Sequence, residues 1–450
     1  GEEPPKVPAA PQPTAPAVSV ADQFQRIIKE YDDDMLRLRE LSRELAKQRA
    51  NEKAQGKAAN DQEPATPVPS KYPQHPICPY ARRICDLVLE HPVDPAGRDA
   101  LIWIVDRPAM ADWHAYGDEY SRAVNLLVTF HADDPETARL GLTLHNSHSR
   151  SRDAFVEGVY VNAKGREARG LARLALARYL EGVLLGIKYS LENPEFGVTH
   201  YQVKDDQGNL SEKSFSFPDA VKGYYAHLRL FDPNTVRGEV ERLYEEVIAE
   251  YADIPYITTR RRKLERQAQE TPTDLDGIAT QQRLIEKLKE KVPTLGEVAA
   301  GRLDEMRNLA IGKPAPDFEG VDTDGKPIKL SDFRGKVVVM DFWFSTCGPC
   351  LREIPSQRDL TEAMKGRPFT FLGIVSDGRN DDARKVIESR SINWPNVLEG
   401  GEAVADRYYI ESFSSYIVID AQGIIRAKGF NVADPHPLLD PLVKEAESKK

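Results

Sequence analysis

Several features that would assign a class at once are missing from this chain. It has no run of about 18 apolar residues, so no helix is expected to cross a membrane. It has no surplus of positive charge: 61 Lys and Arg against 71 Asp and Glu leave a net charge of −10. That balance gives no general attraction to nucleic acid or to an anionic membrane. The basic run Arg260-Arg261-Arg262-Lys263 reads as a solvated helix face rather than a partner contact. There are only 4 cysteines in 450 residues, too few for a disulfide framework. No clean internal period appears, so no named repeat is assigned.

The length allows two or three domains, and 40% apolar residues allow a sizeable core. The chain begins Gly1-Glu2-Glu3-Pro4-Pro5, without Met, and reads as a trimmed end to which a removed export signal would fit. Residues 1–19 are rich in Pro and Ala, a composition expected to be disordered. From 22 to about 55, Phe24, Ile27, Ile28, Tyr31, Met35, Leu36, Leu38, Leu41 and Leu45 recur at helical spacing. This predicts an amphipathic helix, lying on the body of the protein or pairing as a coiled coil. Residues 56–70 read as a linker.

Residues 71–310 are predicted to be mainly helical, with pieces at 81–91, 100–105, 116–130, 134–144, 151–162, 164–188, 237–251, 281–291 and 295–310. Ala-rich runs such as 170–178 imply closely packed helices, in a repeat-like stack. A β excursion is expected at 196–217, and 257–280 as helix followed by loop. Cys78 and Cys85 lie seven apart, about 10 Å along one continuous helix, too far for a disulfide. If Pro79 opens the helix and leaves Cys78 outside, that objection relaxes; a structural disulfide, inert thiols and a functional pair all stay open.

From 311 to 450 strands and helices alternate, giving a small mixed α/β domain. Within it lies the most telling run of the chain, Phe342-Trp343-Phe344-Ser345-Thr346-Cys347-Gly348-Pro349-Cys350, directly after the strand-like 336–341. Two cysteines separated by Gly-Pro at a strand-to-helix turn suit reversible dithiol–disulfide exchange. No histidine adjoins the pair, so neither haem attachment nor a zinc site is expected. No cofactor is implied.

These motifs resemble the thioredoxin-like superfamily. The closer likeness is to extracytoplasmic thiol–disulfide oxidoreductases of the redoxin, or AhpC/TSA-like, type, placed at the end of a multidomain bacterial protein. The pattern is Gly-x-x-Ala-Pro-x-Phe at 312–318, Leu-x-x-x-x-Gly-Lys at 330–336, Trp-x-x-x-Cys-x-x-Cys at 343–350, then Glu353-Ile354-Pro355. It covers roughly 30% of the chain. The fold class expected is therefore α+β multidomain: a largely helical amino-terminal region, then an α/β thioredoxin-like domain.

The resemblance implies roles. Cys347, the more exposed cysteine just before the helix, would attack or be attacked; Cys350 would resolve the mixed disulfide; Asp341 would be buried beneath and move the proton of Cys350. Trp343 is a platform or simply core. Thr346, Pro349, Phe413, Ser414 and Ser415 would meet the substrate, and Glu353 reads as structural or solvent-exposed. Partners implied are a protein disulfide or dithiol and a membrane or extracytoplasmic electron donor. The setting implied is the periplasm or cell envelope, with the signal removed. The helical region is a candidate for binding a protein partner.

Three departures stand out. Thr346 occupies a place where Trp is common. Phe344 and Ser345 replace a small-then-polar pair. Ser414 takes the place of a cis-proline, and a cis bond before serine costs several kcal/mol more, so this loop is expected to be trans. The serine could also open the dithiol to metal. A thiol peroxidase is disfavoured, because Phe344 and Met340 occupy the positions where its Thr and Pro would stand. The other reading is a protein-binding or structural module carrying a degenerate redoxin domain.

Overall fold

The computed structural model describes residues 18–54, 77–106, 117–143, 150–192, 198–204, 210–216, 219–258, isolated positions between 261 and 288, 291–377, 380–410, 412–430 and 436–449. The expectations for residues 1–17, the linker 56–70 and most of 259–290 lie outside the described residues. The chain divides into two units, Gly1–Glu297 and Val298–Lys450.

The first unit is rich in long helices, as its apolar spacing requires. In order these are α1 (Val20–Ala54), α2 (Cys78–Glu90), α3 (Pro95–Val105), α4 (Gly117–His131), α5 (Pro135–Gly141), α6 (Arg150–Asn162) and α7 (Arg166–Glu192). A hairpin of β1 (Val198–Lys204) and β2 (Leu210–Ser216) follows, then α8 (Asp219–Leu228) and α9 (Pro233–Glu250). Three starts share one device. Asp94, Asp134 and Asp232 accept the backbone N–H of Ala96, Glu136 and Thr235 at 2.8, 2.8 and 2.9 Å. Each is followed by a proline, whose missing N–H has no partner to lose in a first turn.

Helix α7 carries the packing of this unit, with α5, α6, α8 and α9 against it. Its small residues permit the approach: a Cβ on Gly170 would stand 3.0 Å from Tyr251, and one on Gly186 2.6 Å from Leu228. The first half of α1 lies on α2 and α3 through buried Phe24, Ile27 and Tyr31. Tyr31 meets Tyr80 and Trp103 edge-on at 5.5 and 5.1 Å. Cys78 is the first residue of α2, with Pro79 in its first turn, so the proline does not put Cys78 outside the helix. Cys78 and Cys85 are both buried and do not form a disulfide. Burial pushes the Cys85 thiol up to about 12, which leaves it protonated and unreactive.

Helix α10 (Leu295–Asn308) spans the division between the units. The mixed α/β unit continues with β3 (Glu319–Asp322), β4 (Pro327–Lys329), β5 (Val337–Trp343), α11 (Gly348–Ala363), β6 (Phe369–Val375) and α12 (Asn380–Ser389). It ends with β7 (Asn396–Glu399), α13 (Gly401–Arg407), β8 (Ser415–Ile419), β9 (Ile425–Phe430) and α14 (His436–Ser448). The sheet order is β4-β3-β7-β6-β5-β8-β9. Strand β5 is central, parallel to β6 and antiparallel to β8, and buried along its whole length. Val338, Met340 and Phe342 face one layer with Val404 and Tyr408. Val337 and Val339 face the other, against Ile354 and Leu360 of α11 and Leu439 and Val443 of α14. This period of two places Asp341 on the side of α11. The architecture is a thioredoxin-like three-layer domain following a helical region.

Candidate active site

Strand β5 ends at Trp343 and α11 starts at Gly348, so the intervening turn delivers both cysteines to the helix N-terminus. Cys347 is the N-cap residue, and its Sγ accepts the backbone N–H of Cys350 at 3.2 Å. The two cysteines are joined as a disulfide, with Cα atoms 5.3 Å apart. When reduced, a thiolate at Cys347 would be held by that N–H and by the positive end of the helix dipole. Asp377 fixes the turn from the side, accepting the Ser345 N–H at 2.8 Å and the Ser345 hydroxyl at 3.0 Å.

The exposure expected of Cys347 is not found: Cys347 is 4% exposed and Cys350 3%. The cause is tertiary. The cluster that contains the two cysteines is packed by Phe344 and Phe413, their rings edge-on at 5.1 Å, and by Val386, Ile387 and Ile392. What stands open at the site is the rim of Thr346, Gly348 and Pro349.

Asp341 lies in the interior of β5, not at a strand end. Its lateral neighbours are Gly373 on β6 and Tyr416 on β8. It lines a small buried pocket with Trp343, Cys350, Gln357 and Trp394. Its Oδ2 accepts from Gln357 Nε2 at 3.0 Å, and its Oδ1 has no hydrogen-bond partner among the described residues. Burial drives the carboxyl from its ordinary 3.8 up to about 7; the Gln357 hydrogen bond opposes this and the nearby Glu353 charge adds to it. Trp343 is a buried wall of the pocket, its Nε1 donating to Asn396 Oδ1 at 3.2 Å.

The loop before β8 also differs from expectation. The Phe413–Ser414 peptide is cis, not trans. The loop is held from several sides. Ser414 Oγ donates to Glu353 Oε2 at 2.8 Å, Ser415 Oγ donates to the Ser412 carbonyl at 2.6 Å, and Phe413 lies on Phe344. Ser415 thus satisfies its hydroxyl within its own loop. Glu353 is half-buried and ordered, accepting from both Ser414 and the Tyr416 hydroxyl.

Sequence reasoning missed Gln357, Tyr416, Asn396 and Asp377. Gln357 carried a faint signal, because Cys350, Glu353 and Gln357 fall on one face of a helix. The other three reach the site only through the sheet and its loops.

A strand–turn–helix dithiol above a buried acid, in this sheet order, defines a thioredoxin-like redox domain. Residues 311–428 match the AhpC/TSA family. Among curated proteins, the thiol-disulfide oxidoreductase ResA of Geobacillus kaustophilus is 30% identical over 122 residues, covering 27% of this chain and 70% of that protein. The ResA of Bacillus cereus is 27% identical over 123 residues, covering 27% of this chain and 71% of its own length. Among solved structures, the thioredoxin domain of a thiol-disulfide oxidoreductase from Bacteroides vulgatus is 34% identical, covering 30% of this chain and 99% of that one, with a TM-score of 0.29. The chain belongs, through this carboxy-terminal redoxin domain, to the AhpC/TSA family.

Proposed function

We propose that the chain is a thiol–disulfide oxidoreductase that reduces disulfides in protein substrates through Cys347 and Cys350. The observation that carries this reading is the Cys347–Cys350 disulfide at the start of α11, with Cys350 and the buried Asp341 lining one pocket.

In the reduced protein, the Cys347 thiolate attacks one sulfur of a substrate disulfide. A mixed disulfide forms and the first substrate thiolate leaves. Cys350 then gives its proton to Asp341 and attacks Cys347 Sγ. The mixed disulfide breaks, the second substrate thiolate leaves, and the Cys347–Cys350 bond forms. The substrate gains two electrons and the protein loses two. An external dithiol donor must restore them; the resemblance implies one at a membrane, outside the cytoplasm. Because Cys347 is buried, docking would use the exposed Thr346, Gly348 and Pro349 and the 412–415 loop.

The test is a redox titration of the pair in glutathione or dithiothreitol buffers, read by thiol alkylation. A reversible two-electron transition at low potential supports a reductase, and a high one an oxidant or isomerase. Cys347→Ala should abolish reduction of a protein disulfide, and Cys350→Ser should accumulate a mixed disulfide with it. A protein with no reversible couple that still holds a partner after loss of both cysteines would instead be a binding module.

A further inference from the structure

The acid under the dithiol has two oxygens, and the structure treats them differently. Asp341 Oδ2 is an acceptor for Gln357 Nε2 at 3.0 Å, while Oδ1 is buried with no donor among the described residues. The orientation of that amide is dictated from outside the pocket. The Tyr416 hydroxyl donates its proton to Glu353 Oε2. The Tyr416 oxygen must then accept, and it takes one N–H of Gln357 at 2.7 Å. The second N–H of the same amide is left for Asp341 Oδ2. Gln357 and Tyr416 are 5% and 3% exposed, so water cannot readily replace either partner.

We propose that Gln357 is a positioning residue of the redox site: it commits Asp341 Oδ2 as an acceptor and leaves Oδ1, the other oxygen of a carboxyl that lines one pocket with Cys350, as the oxygen that takes the Cys350 proton. This rests on the oxidoreductase reading above. In the resolving step the Cys350 S–H bond breaks, the proton goes to Asp341 Oδ1, and the sulfur's electron pair forms the bond to Cys347. The displaced pair leaves on the substrate sulfur. The titratable groups facing Asp341 are Cys350 and Glu353 from α11 and Tyr416 from β8. Strand β6 and residues 392–395 supply none.

Removing the amide donor strips the ionised acid of its one hydrogen bond, so Asp341 should hold its proton to higher pH. The test is a pH titration of the Asp341 side-chain carboxyl carbon and the Gln357 side-chain amide by NMR, in the oxidised full-length protein and in Gln357→Met. The Gln357 amide of the unaltered protein should shift with the same midpoint as Asp341. In Gln357→Met that midpoint should rise by about one pH unit. Resolution of the mixed disulfide should slow several-fold near neutral pH and recover at alkaline pH. A purely structural role would slow it at every pH.

A folded variant with an unmoved Asp341 midpoint overturns the proposal, as does an amide blind to the Asp341 titration. If Gln357→Met fails to fold, the amide measurement on the unaltered protein decides. If the unaltered protein reduces no protein disulfide, the oxidoreductase reading falls, and the two titrations still judge Gln357.

Discussion

The Ser414 hydroxyl donates to the Glu353 carboxylate at 2.8 Å, tying the loop before β8 to the active-site helix. A proline at that position could make no such bond. The loop that would receive substrate is therefore anchored to the same side chain that receives Tyr416, two residues further along the chain. Ser414→Ala should cost about 1 kcal/mol of stability, the ordinary net value of one such bond. It should also raise KM for a protein disulfide more than it lowers kcat. Urea denaturation and steady-state kinetics check the two parts; an unchanged KM would mean that the anchor does not shape docking.

Asp341 gives stability a defined pH dependence. Its carboxyl holds its proton to about 7 in the folded protein, against an ordinary 3.8. Folding thus takes up a proton between those values. The contribution is fully present below the lower value and is lost as pH rises through the upper one, amounting to roughly 4 kcal/mol at most. Asp341→Asn, which cannot ionise, should be more stable than the unaltered protein above neutral pH, with the advantage shrinking toward acid. Melting temperatures across that range test this, and a pH-independent difference would contradict it.

Gly373 is the neighbour of Asp341 on β6 and leaves no room for a side chain. A Cβ there would collide with Asn396 Oδ1 and sit 2.9 Å from Trp343 Nε1, the two atoms that bond each other. Gly373→Ala should therefore destabilise the domain by about 3 kcal/mol through overpacking and loss of that hydrogen bond. Chemical denaturation measures it, with the indole fluorescence of Trp343 expected to change in the folded state.

Asp377 holds the turn that carries the cysteines through two hydrogen bonds to Ser345. Asp377→Ala should leave the fold intact, cost about 1 kcal/mol at this partly open position, and slow disulfide exchange several-fold. Circular dichroism together with the rate of protein-disulfide reduction decides it; an unaltered rate would show that the turn holds its shape without the carboxylate.

How far the sequence itself reaches can be judged element by element. The Asp-Pro pairs at 94–95, 134–135 and 232–233 set helix starts by local chemistry, an aspartate cap followed by a proline in the first turn, although the helices expected from 100 and 237 in fact begin at Pro95 and Pro233. The run 337–343, apolar except for Asp341, dictates a strand, and Cys347-Gly348-Pro349-Cys350 after it dictates a dithiol at a helix start. These are short-range facts, and the thioredoxin-like likeness rests on the last of them together with the motifs at 312–318, 330–336 and 353–355.

Only the tertiary structure decided what surrounds the dithiol. Phe413 lies 66 residues beyond Cys347 in sequence, yet it packs, with residues of α12, against the cluster in which the pair is buried. Trp394 and Tyr416 reach Asp341 across strand pairings and loops, and Gln357 reaches it across the packing of α11 on β5. No local pattern records those distances. Whether a cysteine is open, which oxygen of an acid is bonded and how a loop peptide lies all depend on groups remote in sequence. Those groups meet only when the sheet is complete.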